Sequence, residues 1–356
     1  MTSLIPFSES DRRNFLNISG WDNASMSNIG SDWSQRQFIR VEKNQKTAVI
    51  MQSFPDAHAQ SIVGHKVLDF ITISKYLIHI GLSAPRIYAQ DLDKGLLLVE
   101  DFGIHDFVSL IVQSDVKSRD AYILATKTLK HIYLKTEYIE IDLPDFNKSH
   151  IQKGHQRVVD WYMPAVLGQK NSDILLDDYL AVWKKIEKSL PRINRRLLHG
   201  DFHPGNLMWL PERQGIEQTG LIDFQQAMMG PSPYDLVNLL DDARREVPEV
   251  TRKECLNLFT EGMRLEDKEN FLIWYRVLAT QFHCRVIGQA IRLAIKDKKI
   301  RLLSIIPILR RHIIKDLSHP VLNPLSEWFL KQGVDFMDTE GFEIEKIAPF
   351  IRDDAY

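Results

Sequence analysis

The spacing of hydrophobic and polar residues changes along the chain, and within the first hundred residues it predicts both strands and a helix. Residues 37–42 and 47–53 have the composition of two strands around a polar KNQK turn, and a continuous apolar run of strand length follows at 95–101. Between them, residues 58–81 carry apolar side chains at helical spacing, and Gly81 predicts the helix end. The first hundred residues therefore read as a small α+β unit.

The spacing becomes mainly helical in the rest of the chain. Apolar residues recur at helical intervals through most of residues 105–190 and again from residue 232 onwards. Short strands are predicted only at 206–210 and 219–223, on either side of a polar segment that contains a glycine. These two strands predict a hairpin inside a helical region.

Together these regions predict an α+β, two-lobed fold. A strand-rich lobe is expected at residues 1–100 and a large, mainly helical lobe at residues 101–356, joined by a hinge near 100–103. Clefts between such lobes are common ligand sites, so a ligand is expected there.

Composition narrows the class of protein. The chain has 356 residues, a formal net charge of -2 and a pI of about 6.6, which gives no basic face for nucleic acid. Two cysteines, Cys255 and Cys284, cannot form a disulfide framework and fit a reducing compartment. The first residues lack the apolar core of a signal peptide, and no run reaches the roughly 18 apolar residues of a membrane span. A cytoplasmic protein with no membrane partner is expected.

The segment LHGDFHPGN, residues 198–206, concentrates chemically capable side chains. His199, Asp201 and His203 alternate, so in an extended chain they share a face and could hold zinc. Pro204 and Gly205 force a turn at once, however, and no further Cys or His cluster stands nearby. A polar turn before the strand at 206–210 is a second interpretation.

The segment LIDFQ favours a third interpretation, phosphoryl transfer. Asp223 follows two apolar residues at a strand end, and Asn206 closes the earlier loop. Phosphoryl transfer needs one carboxylate to align the attacking hydroxyl and accept its proton, with an amide and a second carboxylate holding Mg²⁺ on the phosphates. In this interpretation Asp201 is the base, and Asn206 and Asp223 are the metal ligands.

A second Asp-Phe pair lies earlier, in EDFG at residues 100–103. It precedes the catalytic loop and follows an apolar strand, which places it at the predicted hinge. We interpret Glu100, Phe102 and their neighbours as the segment that contacts the adenine of ATP through backbone groups. Asp101 is predicted to cap the following chain rather than to bind metal.

The chain resembles a known superfamily of enzymes. HGDFHPGNLMWL and GLIDFQQAMMGPSPYDLVNLL resemble the motifs of the aminoglycoside phosphotransferase superfamily, which has a protein-kinase-like fold. GSDWSQRQFIRV, LLLVEDFG and QFHCRVIGQAIRLAIKDKK are similar to segments of bacterial cell-wall-recycling kinases that phosphorylate the anomeric hydroxyl of N-acetylmuramic acid and N-acetylglucosamine. The resemblance runs from about residue 25 to about residue 330.

The resemblance implies roles for individual residues. Asp201 would be the catalytic base, and Asn206 and Asp223 would hold Mg²⁺ on ATP. Asp235, in the YDL segment, would support the catalytic loop by accepting backbone hydrogen bonds, and His199 would be a structural member of that loop. His203 matches a position that is commonly histidine in the branch and receives no chemical role.

Two positions depart from the expected pattern. Gly200 stands where the branch usually has arginine, which removes a guanidinium from the loop. Met51 stands where many superfamily members have a strand lysine for the α- and β-phosphates. The sugar-kinase branch also tends to have methionine there, so this departure does not argue against activity. It does not identify which cationic residue binds the phosphates.

The candidate phosphate-covering loop carries substitutes for that cation. Arg36 is the first choice and Arg40 the second, although arginines that alternate along an exposed strand are also ordinary surface residues. The remaining features of this loop are Gly30, Asp32 and Ser34.

The sequence indicates the residues that bind the phosphoryl acceptor less clearly. Gln225 directly follows the IDF segment, and Gln281 and Arg285 lie one helical turn apart on a face that could line the cleft or be solvated. The aromatic segment at 160–168 suits either a sugar face or a core. A neutral or singly charged amino sugar fits a chain without an acidic patch better than a polycation does.

Other functions stay open. Met51 and Gly200 would suit a pseudokinase-like binding module, and the His/Asp cluster would suit a metal-dependent hydrolase. Within kinases, the acceptor could be an aminoglycoside, choline, homoserine or another small alcohol. Measurable turnover of Mg-ATP and the zinc content would separate these functions.

Overall fold

The computed structural model describes residues 9–31, 36–59, 61, 66–337 and 341–355. The strands are β1 Ser25–Ser31, β2 Gln37–Lys43, β3 Lys46–Gln52, β4 Ile87–Asp91, β5 Leu96–Glu100, β6 Arg195–Leu198, β7 Leu207–Trp209, β8 Thr219–Leu221 and β9 Met228–Pro231. The helices are α1 Glu9–Ile18, α2 Val67–His79, α3 Phe107–Ile111, α4 Asp115–Lys135, α5 His150–Lys153, α6 Met163–Leu167, α7 Leu175–Ser189, α8 Tyr234–Leu240, α9 Glu249–Thr260, α10 Leu265–Lys296, α11 Ile306–Leu317, α12 Asn323–Lys331 and α13 Ile344–Ile347.

The described chain divides into two compact units. The first contains residues 1–143 and 199–228, and the second contains residues 144–198 and 229–356. The lobe boundary after residue 100 stays a prediction, because the units place the helices up to residue 143 and the β7–β8 hairpin with the N-terminal sheet.

The first unit is built on a five-stranded antiparallel sheet in the order β1-β2-β3-β5-β4. The apolar runs predicted the central strands: residues 48–52 of β3 and residues 96–99 of β5 are buried, as expected for strands with both faces covered. One face of the sheet packs against Phe15 and Leu16 of α1, an amphipathic helix that brings few apolar side chains to the core.

The β7–β8 hairpin also belongs to the first unit. Its strands pair antiparallel with Leu207 opposite Leu221, as the sequence predicts. The Leu221 N–H donates to the carbonyl of Ser83, which ties the hairpin to the chain that follows α2. This anchoring fixes the strand ends where the candidate site residues lie.

The second unit is mainly helical and is centred on α10, a helix of 32 residues. Its core includes Trp161, Tyr162, Tyr179 and Trp183, so the aromatic segment at 160–168 fills the core. Gly288 of α10 lies so close to the carbonyl of Arg157 that an added Cβ would be 2.1 Å from the oxygen, and only glycine allows this packing. No helix among the described residues is both long enough and apolar enough to cross a bilayer.

Candidate functional site

The hairpin register brings Asn206 and Asp223 together. Because Leu207 pairs with Leu221, the residues just beyond the pair, Asn206 and Ile222, are also opposite each other. The Ile222 N–H donates to the Asn206 carbonyl over 3.2 Å. Asp223, the next residue, therefore leaves the hairpin at the point where the loop of residues 199–206 enters it.

Asn206 also contacts Asp201. Its Nδ2 donates to the Asp201 carbonyl over 3.0 Å and to Asp201 Oδ2 over 3.2 Å. The nitrogen of the Asn206 amide faces Asp201, so its Oδ1 is the atom that can bind a cation. Asp201 and Asn206 are thus in direct contact, and Asp223 follows the residue that is hydrogen-bonded to Asn206. Carboxylate and amide oxygens of this kind are ligands that Mg²⁺ prefers.

Asp223 has a strained backbone and a defined side-chain partner. Its φ of 60° lies in the left-handed region, which non-glycine residues rarely adopt and which concentrates at functional sites. The buried Gln225 donates its Nε2–H to Asp223 Oδ1. Gln225, a weak substrate candidate from sequence, is therefore engaged with the candidate metal ligand, a contact that the sequence pattern did not indicate.

The buried His199 side chain contacts the backbone of Asp201 and that of Ile222, the residue before Asp223. The ring is buried; Nε2 lies 3.0 Å from the Ile222 carbonyl and must donate to it, while Nδ1 accepts the Asp201 N–H over 3.4 Å. Burial lowers the pKa of His199 to about 4, so the ring is neutral near pH 7. The neutral ring holds the loop against the residue before Asp223.

The same contacts disfavour the zinc interpretation. Both ring nitrogens of His199 are engaged with the backbone, so neither is available to a metal. A separate group, Asp241, His283 and His312, has potential ligand atoms within 4.8 Å of one another in the second unit. Its Asp241 already contacts the guanidinium of Arg252 and accepts from the Tyr275 hydroxyl over 2.6 Å, so a cationic side chain already balances the carboxylate.

The absence of arginine before Asp201 has a conformational reason. Gly200 has a φ of 89°, which strains any residue with a Cβ. An added Cβ would also lie 3.2 Å from the Gln226 carbonyl oxygen. In this chain the loop therefore needs glycine at this position.

The two arginines proposed for the phosphates lie in different environments. Arg40 donates to both carboxylate oxygens of Asp101, over 2.6 and 2.9 Å, and to the Gly103 carbonyl. Burial alone would raise the pKa of Asp101, but the hydrogen bonds from Arg40 and the Gly103 N–H outweigh it and lower the pKa. Arg40 is thus engaged with the predicted hinge, whereas Arg36 is buried just before β2.

The other parts of the proposed phosphate region are less defined. Gly30 lies on β1, and Asp32 and Ser34 lie outside the described residues. Met51 is buried on β3, so this position provides no cation.

The segment 100–103, predicted to contact adenine, begins at the end of β5. The Glu100 carboxylate accepts a hydrogen bond from Arg213 Nη2 over 2.5 Å. The backbone N–H of Glu100 donates to the Arg86 carbonyl. The Phe102 ring lies against Gly220 and below the Arg213 guanidinium, 5.2 Å from the ring centre. Within the described chain, neither the N–H nor the carbonyl of Phe102 makes a hydrogen bond, so both can meet a base.

Three sequence candidates belong to the second unit. Asp235 is buried in the first turn of α8. On α10, Gln281 is buried and hydrogen-bonds to Glu187, while the Arg285 guanidinium lies over the Phe282 ring at 5.3 Å. Their roles in supporting the loop or contacting the acceptor stay predictions.

An α+β chain built on this five-stranded antiparallel sheet has a protein-kinase-like phosphotransferase fold. The chain belongs to the phosphotransferase enzyme family, whose model matches residues 25–265. The α+β, kinase-like fold expected from the resemblance is confirmed.

Similar proteins include curated sugar kinases and solved antibiotic kinases. The chain is 26% identical to an N-acetylmuramate/N-acetylglucosamine kinase of Caulobacter vibrioides, over 90% of this chain and 95% of that protein. It is 27% identical to a protein of the same name from Pseudomonas aeruginosa, over 89% of this chain and 92% of the relative. The structure of wild-type aminoglycoside 2'-phosphotransferase-IIIa in complex with GDP is similar in fold, with a TM-score of 0.57, 16% identity, and coverage of 87% of this chain and 100% of that one.

Proposed function

We propose that the protein is an ATP- and Mg²⁺-dependent kinase of cell-wall recycling that phosphorylates the anomeric hydroxyl of N-acetylmuramic acid, N-acetylglucosamine or both. The observation that carries the chemistry is the hairpin register, in which Ile222, the residue before Asp223, is hydrogen-bonded to Asn206, while Asn206 contacts Asp201. The names of the curated relatives, matched over about nine-tenths of this chain, support the acceptor.

The proposed reaction assigns the proton to Asp201. The anomeric oxygen attacks the γ-phosphorus of ATP, the bond from that phosphorus to the β,γ-bridging oxygen breaks, and the hydroxyl proton passes to the Asp201 carboxylate. An anomeric hydroxyl is more acidic than an ordinary alcohol, so a carboxylate is a sufficient base. Asn206 Oδ1 and the Asp223 carboxylate would hold Mg²⁺, which neutralises charge on the phosphates.

We propose that the backbone of Phe102 binds adenine, since its N–H and carbonyl offer the donor and acceptor that a base needs. Arg36 stays our proposal for the phosphates on the resemblance and on its position just before β2, and we no longer propose Arg40, which is paired with Asp101. Two buried cysteines without a disulfide, Cys255 and Cys284, support the proposal that the enzyme acts in the cytoplasm.

The experiment is an acceptor panel with Mg-ATP. Purified enzyme is incubated with N-acetylmuramic acid, N-acetylglucosamine, their methyl glycosides, choline, homoserine and an aminoglycoside, and products are followed by phosphorus NMR. We expect an acid-labile sugar 1-phosphate from the free sugars and none from the methyl glycosides, whose anomeric oxygen is blocked.

Each other result contradicts a different part of the proposal. Equal phosphorylation of the methyl glycosides would place the transfer on another hydroxyl. Reaction of choline, homoserine or the aminoglycoside without any amino sugar would reject the acceptor and keep the kinase. No turnover of any acceptor, with Mg-ATP binding retained, would favour a pseudokinase-like binding module.

A further inference from the structure

We propose that His203 is a positioning residue for Asp201: its ring N–H holds the carboxylate in the orientation that accepts the substrate proton. The inference rests on the proposed kinase function and deepens it. It gives a role to the histidine that the sequence motif left without one.

The backbone fixes which ring nitrogen of His203 carries the proton. Nδ1 accepts the Gly205 N–H over 3.0 Å, so Nδ1 holds a lone pair. The N–H of the ring is therefore on Nε2. That atom lies 3.5 Å from Asp201 Oδ2, which places a donor beside the carboxylate.

The ring is held more firmly than the carboxylate that it faces. The His203 side chain is only 10% exposed, whereas the Asp201 side chain is 52% exposed. A Cβ on Gly205 would lie 3.0 Å from His203 Cε1, so glycine leaves just enough space for the ring. A buried donor can thus add to the restraint that Asn206 places on this exposed side chain.

His203 and Asn206 approach the same oxygen of Asp201. Asn206 Nδ2 lies 3.2 Å from Asp201 Oδ2. The other atom of the Asn206 amide, Oδ1, is the proposed Mg²⁺ ligand. Catalytic hydrogen bonds are commonly long without substrate and shorten in the reacting complex, so the 3.5 Å separation suits a restraint of this kind. Loss of alignment by about 1 Å can reduce turnover by about 10²-fold, which sets the scale of the expected effect.

A simpler role for His203 is to cap the short 3-10 turn at residues 204–206. Two substitutions separate the roles. In His203→Asn, the side-chain oxygen can replace Nδ1 as the cap, but nothing reaches the position of Nε2. In His203→Gln, the amide nitrogen can reach the position of Nε2, but the cap is lost.

Positioning predicts opposite effects for the pair. His203→Asn should keep the midpoint of unfolding close to wild type and lower kcat by about 10- to 100-fold, with the affinity for Mg-ATP unchanged. His203→Gln should unfold more easily and keep kcat within a few-fold of wild type. If His203→Asn kept both kcat and the midpoint of unfolding close to wild type, His203 would be a cap only and the proposal would be wrong.

A second measurement is independent of the acceptor. Nitrogen NMR of the full chain labelled at histidine should show His203 as the Nε2–H form, and Asp201→Ala should shift the Nε2–H signal. A ring protonated on Nδ1 alone, or a signal that ignores Asp201→Ala, would overturn the inference. Failure of every acceptor in the panel would instead reject the proposed function and leave this readout intact.

Discussion

The side-chain amide of Gln225 donates a hydrogen bond to the carboxylate of Asp223, two residues earlier in the chain. Gln225 is buried, and Asp223 has a left-handed backbone, so amide and backbone together set the direction of the carboxylate. One carboxylate oxygen, Oδ1, is thereby engaged by Gln225 in the carboxylate that we propose as a Mg²⁺ ligand. This pairing suggests that Gln225 influences metal binding.

Gln225→Met should therefore raise the Mg²⁺ concentration that gives half-maximal turnover. A hydrogen bond to a charged group contributes about 1.5–3 kcal/mol, which corresponds to an increase of about 10- to 100-fold. The exposed Gln90→Met is the matched control and should behave as wild type. An unchanged Mg²⁺ requirement in folded Gln225→Met protein would show that the pairing does not influence metal binding.

Asp201→Asn should lower turnover while Mg-ATP still binds. The amide keeps the shape of the carboxylate but cannot accept the proton, and general bases contribute typically about 10²–10⁴-fold. Steady-state kinetics give kcat, and calorimetry gives the nucleotide affinity. Asp93→Asn, on an exposed turn, is the control. Near-normal turnover by Asp201→Asn would reject Asp201 as the base.

Asp223→Ala and Asp101→Ala should have different effects, although each aspartate precedes a phenylalanine. Asp223→Ala should abolish the Mg²⁺-dependent part of nucleotide binding, because the cation loses its anionic ligand. Asp101→Ala should keep that dependence and lower the free energy of unfolding by about 1–3 kcal/mol, since Arg40 loses a charged partner. Titrations of nucleotide with and without Mg²⁺ test both variants. The reverse result would exchange the roles of metal site and hinge.

Gly200→Ala should destabilise the protein more than Gly215→Ala does. Both glycines have positive φ, but an added Cβ at Gly215 meets no atom within 4 Å, whereas at Gly200 it lies 3.2 Å from the Gln226 carbonyl. The left-handed backbone alone costs about 1–2 kcal/mol, and the contact adds to it at Gly200. Denaturant unfolding measures the difference, and equal losses would contradict the reason given for glycine at this position.

Acidification should weaken the fold through His199. Its folded pKa of about 4 lies below the ordinary value of 6.5, so protons bind the unfolded chain more tightly. The stabilisation is present above pH 6.5 and is lost as the pH falls towards 4, by about 3 kcal/mol for this ring. Unfolding free energies from pH 7 to pH 4.5 should therefore fall less steeply in His199→Gln, whose amide can still donate to the Ile222 carbonyl but does not titrate. Parallel curves would show that His199 is not the group responsible.

Local patterns in the sequence determined much of the fold. Apolar runs predicted β3 and β5, helical spacing predicted α2 and α4, and the glycine-containing polar segment predicted the β7–β8 hairpin. β1 and β4 were missed, because their residues carry few buried apolar side chains and are held by pairing with β2 and β5. An edge strand depends on its neighbour more than on its own composition.

The sequence by itself also predicted that Asp201, Asn206 and Asp223 lie near one another, because a loop that enters a hairpin and a residue that leaves it are neighbours; their role as a catalytic and metal-binding group stays a prediction. Only the tertiary structure decided which arginine is engaged with the hinge and which glutamine faces the candidate metal ligand. Arg40 and Asp101 are 61 residues apart in the chain, and Gln225 donates to Asp223 at a position where the Asp223 backbone is left-handed. Periodicity fixes which face of an element is buried, but side-chain partners depend on distances that arise when separate segments pack together.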